Sequence, residues 1–283
     1  MGGPMLADWN NTSITLIPKV KNLDAVKNMR LISLCNVDYK IIAKILSKRL
    51  KGILPEVISP TQSDFVPGRL LTNNVLLAYE VIHYMGNKIH GKESYATVKL
   101  HMSKAYDRVE WHFLEAMMVK LRFHRRFVEL IMKCVRMVKF RIKINAYFMD
   151  KVLLERGLRQ GDPMSPYLFL LCAKAFSSLL TKPVENNLIQ GVKLCPNAPS
   201  ISHLFFTDDS LILFKANKES AEQIQHILRV YKASSDQTIN KDKSAVFFNN
   251  NVKAKDKDDV MRTLGILKQD LNKRYLGMPI HVG

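Results

Sequence analysis

The chain has 283 residues, of which 43 are Lys or Arg and 25 are Asp or Glu, a formal net charge of +18 at pH 7. Apolar residues make up 47% of it, which excludes an intrinsically disordered chain and supports one large domain or two small ones around a packed core. The positive excess suits a polyanionic partner, nucleic acid first, although a plain basic protein carries such charge too.

In chain order, residues 12–20 read as a strand ending at Pro18. Residues 37–54 carry Val37, Ile41, Ile42, Ile45, Leu46, Leu50, Ile53 and Leu54 at helical spacing, with Lys40, Lys44, Lys48, Arg49 and Lys51 on the polar face. That face reads either as a solvated helix surface or as a phosphate-contacting one. A helix over 70–90 is expected to turn Leu76, Leu77, Val81 and Ile82 inward. Residues 96–101 read as a strand that breaks into a helix over about 107–121, followed by a helix over about 125–139 and a hairpin over roughly 140–155. A Gly/Pro loop then opens a long apolar helix from about Pro163 to Leu180. Short apolar runs on either side of a polar break predict a hairpin over 203–214. A helix over 219–234 sets Ala221, Ile224, Ile227, Leu228 and Tyr231 on one face, and a strand lies near 244–248. The polar run 249–259 reads as a linker or exposed loop, and 275–282 suggests a last short hairpin. This mixture is α+β.

The hairpin over 203–214 sets Asp208 and Asp209 side by side at its tip. Adjacent carboxylates repel unless a cation offsets them, and Mg²⁺ is the hard cation that takes carboxylate and phosphate oxygens. An ordinary surface turn also accommodates Asp and Ser. The four cysteines, Cys35, Cys134, Cys172 and Cys195, form no CxxC pair, so zinc-ligand spacing is absent. Cys35 and Cys172 sit in apolar runs as buried thiols, which fits a reducing compartment. The longest apolar run, Tyr167–Ala173, is too short to span a bilayer, and the N-terminus lacks a secretory pattern. The expectation is an intracellular protein, nuclear or cytoplasmic, with no membrane partner.

Three segments stand in a telling order: Ala96–Trp111, Gly157–Phe169 and Leu204–Phe214. They resemble motifs A, B and C of a reverse transcriptase palm, and the closest likeness is to the LINE-type non-LTR retrotransposons of plants. Leu16–Lys19, Leu31–Lys40, Gln62–Arg69, Ile239–Ser244 and Tyr275–Pro279 also resemble that family, so the likeness runs from about Ile14 to the C-terminus. It implies a right-hand fold with an antiparallel palm sheet flanked by helices. Residues 12–95 would be fingers, 96–248 palm, and 249–283 a linker and primer-grip-like hairpin opening a thumb that is missing. It implies an RNA-directed DNA polymerase that takes an RNA template, a DNA primer and deoxynucleoside triphosphates. The transfer would run by a two-metal mechanism with Mg²⁺.

Residue by residue, the resemblance makes Asp208 and Asp209 metal ligands and catalytic groups, with Asp208 the better candidate. Lys243 would protonate the leaving pyrophosphate, and a solvated lysine is its plain alternative. Tyr106 stands at the steric gate against a ribose 2′-hydroxyl, or simply packs in the core. Gln160 and Gly161 border the nascent base pair and template, Arg30 clamps the triphosphate, and Arg69 belongs to the nucleotide- and template-binding set. Tyr275, Leu276 and Gly277 form the primer grip.

One position departs from the pattern at its centre. Where the family carries the first catalytic aspartate, this chain has His101, and the matching neighbours Lys99 to Asp107 leave no shift that restores the acid. Imidazole offers one nitrogen where Mg²⁺ prefers oxygen. Asp107 is no substitute, since it matches its own place at the helix start. Asp64, Leu31, Asn73 and Asp236 also depart from the family, and a buried unpaired Asp64 would cost stability. Two functions compete: an impaired polymerase, and a catalytically dead relic that at most binds nucleic acid. A viral or intron-encoded RNA-templated polymerase is a third, against which the signatures at 157–168 and 275–279 stand.

Overall fold

The computed structural model describes residues 7–19, 21, 28–87, 93–144, 147–195, 197–206, 209–269, 274–275 and 278–279. A 3-10 turn at Ala7–Asn10 leads into β1 (Asn11–Pro18), β2 (Met29–Cys35), α1 (Val37–Val57), α2 (Leu71–Asn87) and β3 (Tyr95–His101). Then come α3 (Trp111–Lys120), α4 (Arg125–Arg136), β4 (Lys139–Ile144), β5 (Tyr147–Leu153) and α5 (Ser165–Glu185). The chain continues through β6 (His203–Phe206), β7 (Asp209–Lys215), α6 (Lys218–Ser235), a 3-10 turn at Lys241–Lys243, β8 (Ala245–Phe248), α7 (Ala254–Leu264), β9 (Arg274–Tyr275) and β10 (Met278–Pro279). The fold is α+β, as the residue patterns predict. Two compact units emerge, each built from two stretches of chain: Met1–Val57 with Tyr106–Cys172, and Ile58–Ala105 with Ala173–Gly283.

The first unit holds a four-stranded sheet in the order β2-β1-β4-β5, in which β1 and β4 run parallel. β2, which periodicity did not single out, pairs antiparallel with β1 from Thr12↔Cys35 to Pro18↔Met29. On α1 the buried face is Tyr39, Ala43, Leu46, Ser47, Leu50 and Leu54, while Val37, Ile41, Ile45 and Ile53 are exposed. The apolar set expected to pack as one face is thus split, because spacing marks a stripe without saying which stripe is covered. α3 begins at Trp111, with Glu110 as its extended N-cap residue, rather than near 107. Asp107 therefore sits in a turn, and the helix-start role expected for it falls away.

The second unit holds the antiparallel sheet β6-β7-β3-β8. On one face Ala78, Val81, Ile82 and Met85 of α2 pack with Leu204, Leu211 and Leu213. Leu76, expected inward, is 59% exposed. On the other face Phe205 stacks on Phe176 of α5 (centroids 5.2 Å apart), which in turn stacks on Tyr231 of α6 (4.8 Å). The run 249–259 is not a linker: α7 starts at Ala254, buries Val260 and Leu264, and packs on α6. β9 and β10 pair through Met278↔Tyr275 and Pro279↔Arg274, the short hairpin expected near the end. By length and composition α5, with 21 residues, could cross a membrane, yet Leu168 to Cys172, Phe176 and Leu180 are buried within the protein. Cys134 is buried along with Cys35 and Cys172, and burial pushes Cys172 up to about 12 and Cys134 up to about 11.

Candidate active site

β3 and β7 run antiparallel in a register that pairs Tyr95 with Lys215 at one end and His101 with Asp209 at the other. Directly paired residues share a face, so His101 and Asp209 meet at the end of the sheet. His101 Nδ1 lies 3.2 Å from Asp209 Oδ1. An ionised carboxylate only accepts, so the imidazole donates through Nδ1–H. Lys99, next on that face, brings Nζ to 3.9 Å from Asp209 Oδ2. Each oxygen of Asp209 thus faces a nitrogen donor at a half-exposed site. The backbone of His101 is fastened as well: its N–H donates to Ser244 Oγ (3.2 Å) and its carbonyl accepts from Asn240 N–H (2.8 Å).

Asp208 lies outside the described residues, as does Thr207. The groups around Asp209 do not suit Mg²⁺, which asks for oxygen ligands in near-octahedral array. Nδ1 is a nitrogen ligand and the Lys99 ammonium is itself a competing cation. Among the described residues no three Asp, Glu, His or Cys side chains gather as a metal cluster. The described residues therefore do not fit a two-Mg²⁺ site.

Other predicted residues of this unit have clear local roles. Lys243 is exposed in the turn Lys241–Lys243, whose entry is capped by Asn240 Oδ1 accepting from Lys243 N–H (3.2 Å). The Arg69 guanidinium donates to the carbonyls of Ile58 (2.9 Å), Gln62 (2.6 Å) and Ser59. It thereby gathers the loop that follows α1, and partial burial lowers its pKa. Asp64 is only half-buried, so the expected cost of a buried unpaired acid does not arise. Tyr275 is in β9, while Leu276 and Gly277 lie outside the described residues.

The first unit holds Arg30, Tyr106, Gln160 and Gly161. Arg30 is exposed on β2, opposite Ile17. The Tyr106 ring lies nearly parallel to Phe169 with centroids 4.9 Å apart, and its carbonyl accepts from Leu158 N–H (2.8 Å). Gly157 has φ +94°, and a Cβ there would lie 2.9 Å from the Asp107 carbonyl oxygen, so the loop needs glycine on two counts. Gly161 has φ +103° beside the Ser33 carbonyl oxygen, and the Gln160 carbonyl accepts from Ser33 N–H (2.9 Å). The side chain of Gln160 is left exposed.

Beneath this loop is a buried network that sequence reasoning missed. Arg159 and Asp162 form an ion pair (2.8 Å) with side chains 5% and 3% exposed. Tyr39 donates to Asp162 Oδ2 (2.6 Å), and Asp162 Oδ1 accepts from Met164 N–H (2.9 Å) at the entry to α5. Arg159 also donates to Asn10 Oδ1 (2.6 Å) and Thr12 Oγ1 (3.1 Å), and it lies over the Tyr39 ring at 3.9 Å. Burial, and the Asp162 charge after it, raise the Tyr39 hydroxyl well above its usual range. The pair brackets Gln160 and Gly161, so it sets the path of their backbone. An Arg and an Asp flanking a Gln-Gly turn were the available signal.

Residues 17–280 match the family model of the reverse transcriptases (RNA-dependent DNA polymerases). The chain is 33% identical over 232 residues to the uncharacterized 149 kDa protein of transposon TX1 from Xenopus laevis, covering 82% of this chain and 17% of that protein. It is 27% identical over 220 residues to a retrovirus-related Pol polyprotein from the type-1 retrotransposable element R2 of Popillia japonica, covering 75% and 28%. It thus spans less than a third of the length of either relative. Its fold is similar to that of telomerase from Candida tropicalis, with TM-score 0.60 over 86% of this chain and 41% of that one, at 13% identity. The chain belongs to the reverse transcriptase (RNA-dependent DNA polymerase) family and is a domain of the retrotransposon kind.

Proposed function

We propose that this is the polymerase domain of a plant LINE-type non-LTR element in which template-directed DNA synthesis is lost or strongly impaired. The family generally uses divalent metal ions. The proposed substrates are an RNA template, a DNA primer and deoxynucleoside triphosphates inside the cell. Residues 12–95 are read as fingers and 96–248 as palm. Arg30, Arg69, Tyr106, Gln160 and Gly161 serve nucleotide and template, Tyr275 to Gly277 serve the primer, and Lys243 serves the leaving group.

The observation that carries the impairment is the His101–Asp209 pair, 3.2 Å apart, at the place where the family has two acids. A carboxylate at 101 would be free to bind metal; the imidazole instead holds the neighbouring acid. Removing one preorganised electrostatic stabiliser costs on the order of 10²–10³-fold in rate, and a metal ligand costs at least that. Primer extension on an RNA template, with Mg²⁺ and with Mn²⁺, tests the reading. The unmodified chain should extend poorly in both, with Mn²⁺ the better ion because it tolerates nitrogen ligands. His101→Asp should raise the Mg²⁺-dependent rate. Brisk Mg²⁺-dependent extension by the unmodified chain would falsify the impairment.

A further inference from the structure

We infer that the first unit carries a separate single-stranded nucleic-acid site, a basic and aromatic pocket that takes an unstacked base. The pocket has a volume of about 310 Å³ and lies between α1 and the turn joining α3 to α4. Ile53 and Leu121 give it aliphatic walls, and Phe123 and Phe127 give it rings. Those rings lie 13° from parallel with centroids 6.0 Å apart. Arg49 and Arg122 stand at its edge, both exposed, and His124 completes the lining.

Arg122 supplies an independent observation. It has φ +61°, just past the α3 C-cap residue Leu121, while Phe123 N–H donates to Met118 O (3.1 Å). That helix-ending position favours glycine, and a long side chain there holds a strained backbone. Strain of this kind collects at binding sites, and here it stations a guanidinium beside the pocket. Arg49 continues into the exposed Lys40, Lys44 and Lys48 of α1. On the other side Arg126 is exposed, whereas Arg125 is paired with Glu129 (3.0 Å).

Aromatic faces beside guanidinium groups match one ligand chemistry: phosphates joined to planar bases. Bases in a duplex are stacked on both faces and cannot enter, so the pocket selects single strands. An acidic peptide would meet the charge but bring no ring to stack. None of the motif residues lines this pocket, and the inference needs no polymerase activity.

The test is fluorescence anisotropy with a single-stranded RNA of about 12 nucleotides, within the usual site sizes, carrying a central 2-aminopurine. Binding should raise the 2-aminopurine emission, because the base leaves the neighbours in the strand that quench it. Arg122→Gly should weaken binding and reduce the salt slope by about 0.7, the share of one phosphate contact on a single strand, while the melting temperature holds or rises, because glycine suits that backbone. Phe123→Leu should weaken binding by about fivefold or more with an unchanged salt slope, since it removes stacking and leaves charge alone. Arg122→Gly keeps the test decisive even if Phe123→Leu folds poorly. Unchanged affinity in Arg122→Gly, equal binding of a duplex, or displacement by polyglutamate as readily as by RNA would overturn the inference.

Discussion

Asp209 is a carboxylate with a nitrogen on each oxygen, and this local arrangement follows from register alone. Pairing His101 with Asp209 puts imidazole and acid on one face, and Lys99 completes the diagonal. The Arg159–Asp162 pair is different, being buried where each charge depends on the other. Arg159→Met should cost about 3–5 kcal/mol, since it strands a buried carboxylate, whereas Arg159→Met with Asp162→Leu should cost less than the two single changes summed. Urea denaturation of the four proteins reads this, and strict additivity would contradict it. His203 makes a pH prediction. It is 2% exposed and bonded to Ser177 Oγ (2.8 Å) and Ser202 Oγ (2.9 Å). Burial, and then the Lys174 charge, push its pKa down to about 4 from 6.5. Between those values the unfolded chain binds a proton that the folded chain refuses. Stability from this group is therefore full above about pH 6.5 and lost as pH falls toward 4. From about pH 7 to about pH 5 the loss should be about 2 kcal/mol more than in His203→Gln. Equal losses in the two proteins would sink the assignment.

At the level of elements, the hairpin of β6 and β7 was legible because two short apolar runs flank a polar break. α6 was legible from its spacing, and its end carries a further mark: Asp236 has φ +54° at the C-cap, a conformation that favours glycine. α7 was hidden by composition. Its first turns are Lys and Asp, and its fully buried residues, Val260 and Leu264, come late in the helix. Leu264 is 2% exposed, so Leu264→Ala should cost about 2–5 kcal/mol, a loss visible in thermal melting followed by circular dichroism. An exposed linker there would leave the melt unchanged. β2 was missed for a related reason, since its burial does not alternate cleanly: Leu31 and Leu34 are exposed while Ser33 and Cys35 are buried.

For the molecule as a whole, the chain order of the motifs and the units of the fold do not coincide. Each unit draws on two separate stretches, so α2 shares a unit with β3 and β7, while α1 shares one with α3 and α4. The likeness of fold to a telomerase at 13% identity shows that a chain path can be shared by sequences that have few residues in common. The net charge of +18 sets a general affinity for polyanions that salt should weaken, and it does not say where they bind.

What the sequence by itself determined is the family, the α+β class and the order of the segments that resemble its motifs, with His101 where that resemblance expects an acid. These are matters of local order, carried by residues within a few positions of each other. Tertiary structure decided the rest. It alone set the cross-strand register that puts His101 on Asp209, chose the face of α1 that is buried, and built the network from Asn10, Thr12, Tyr39, Arg159 and Asp162. The pocket between Arg49 and Phe127 likewise exists only once α1 meets the α3–α4 turn. Partners so far apart along the chain meet only through packing, and no spacing rule along a single strand or helix encodes that meeting.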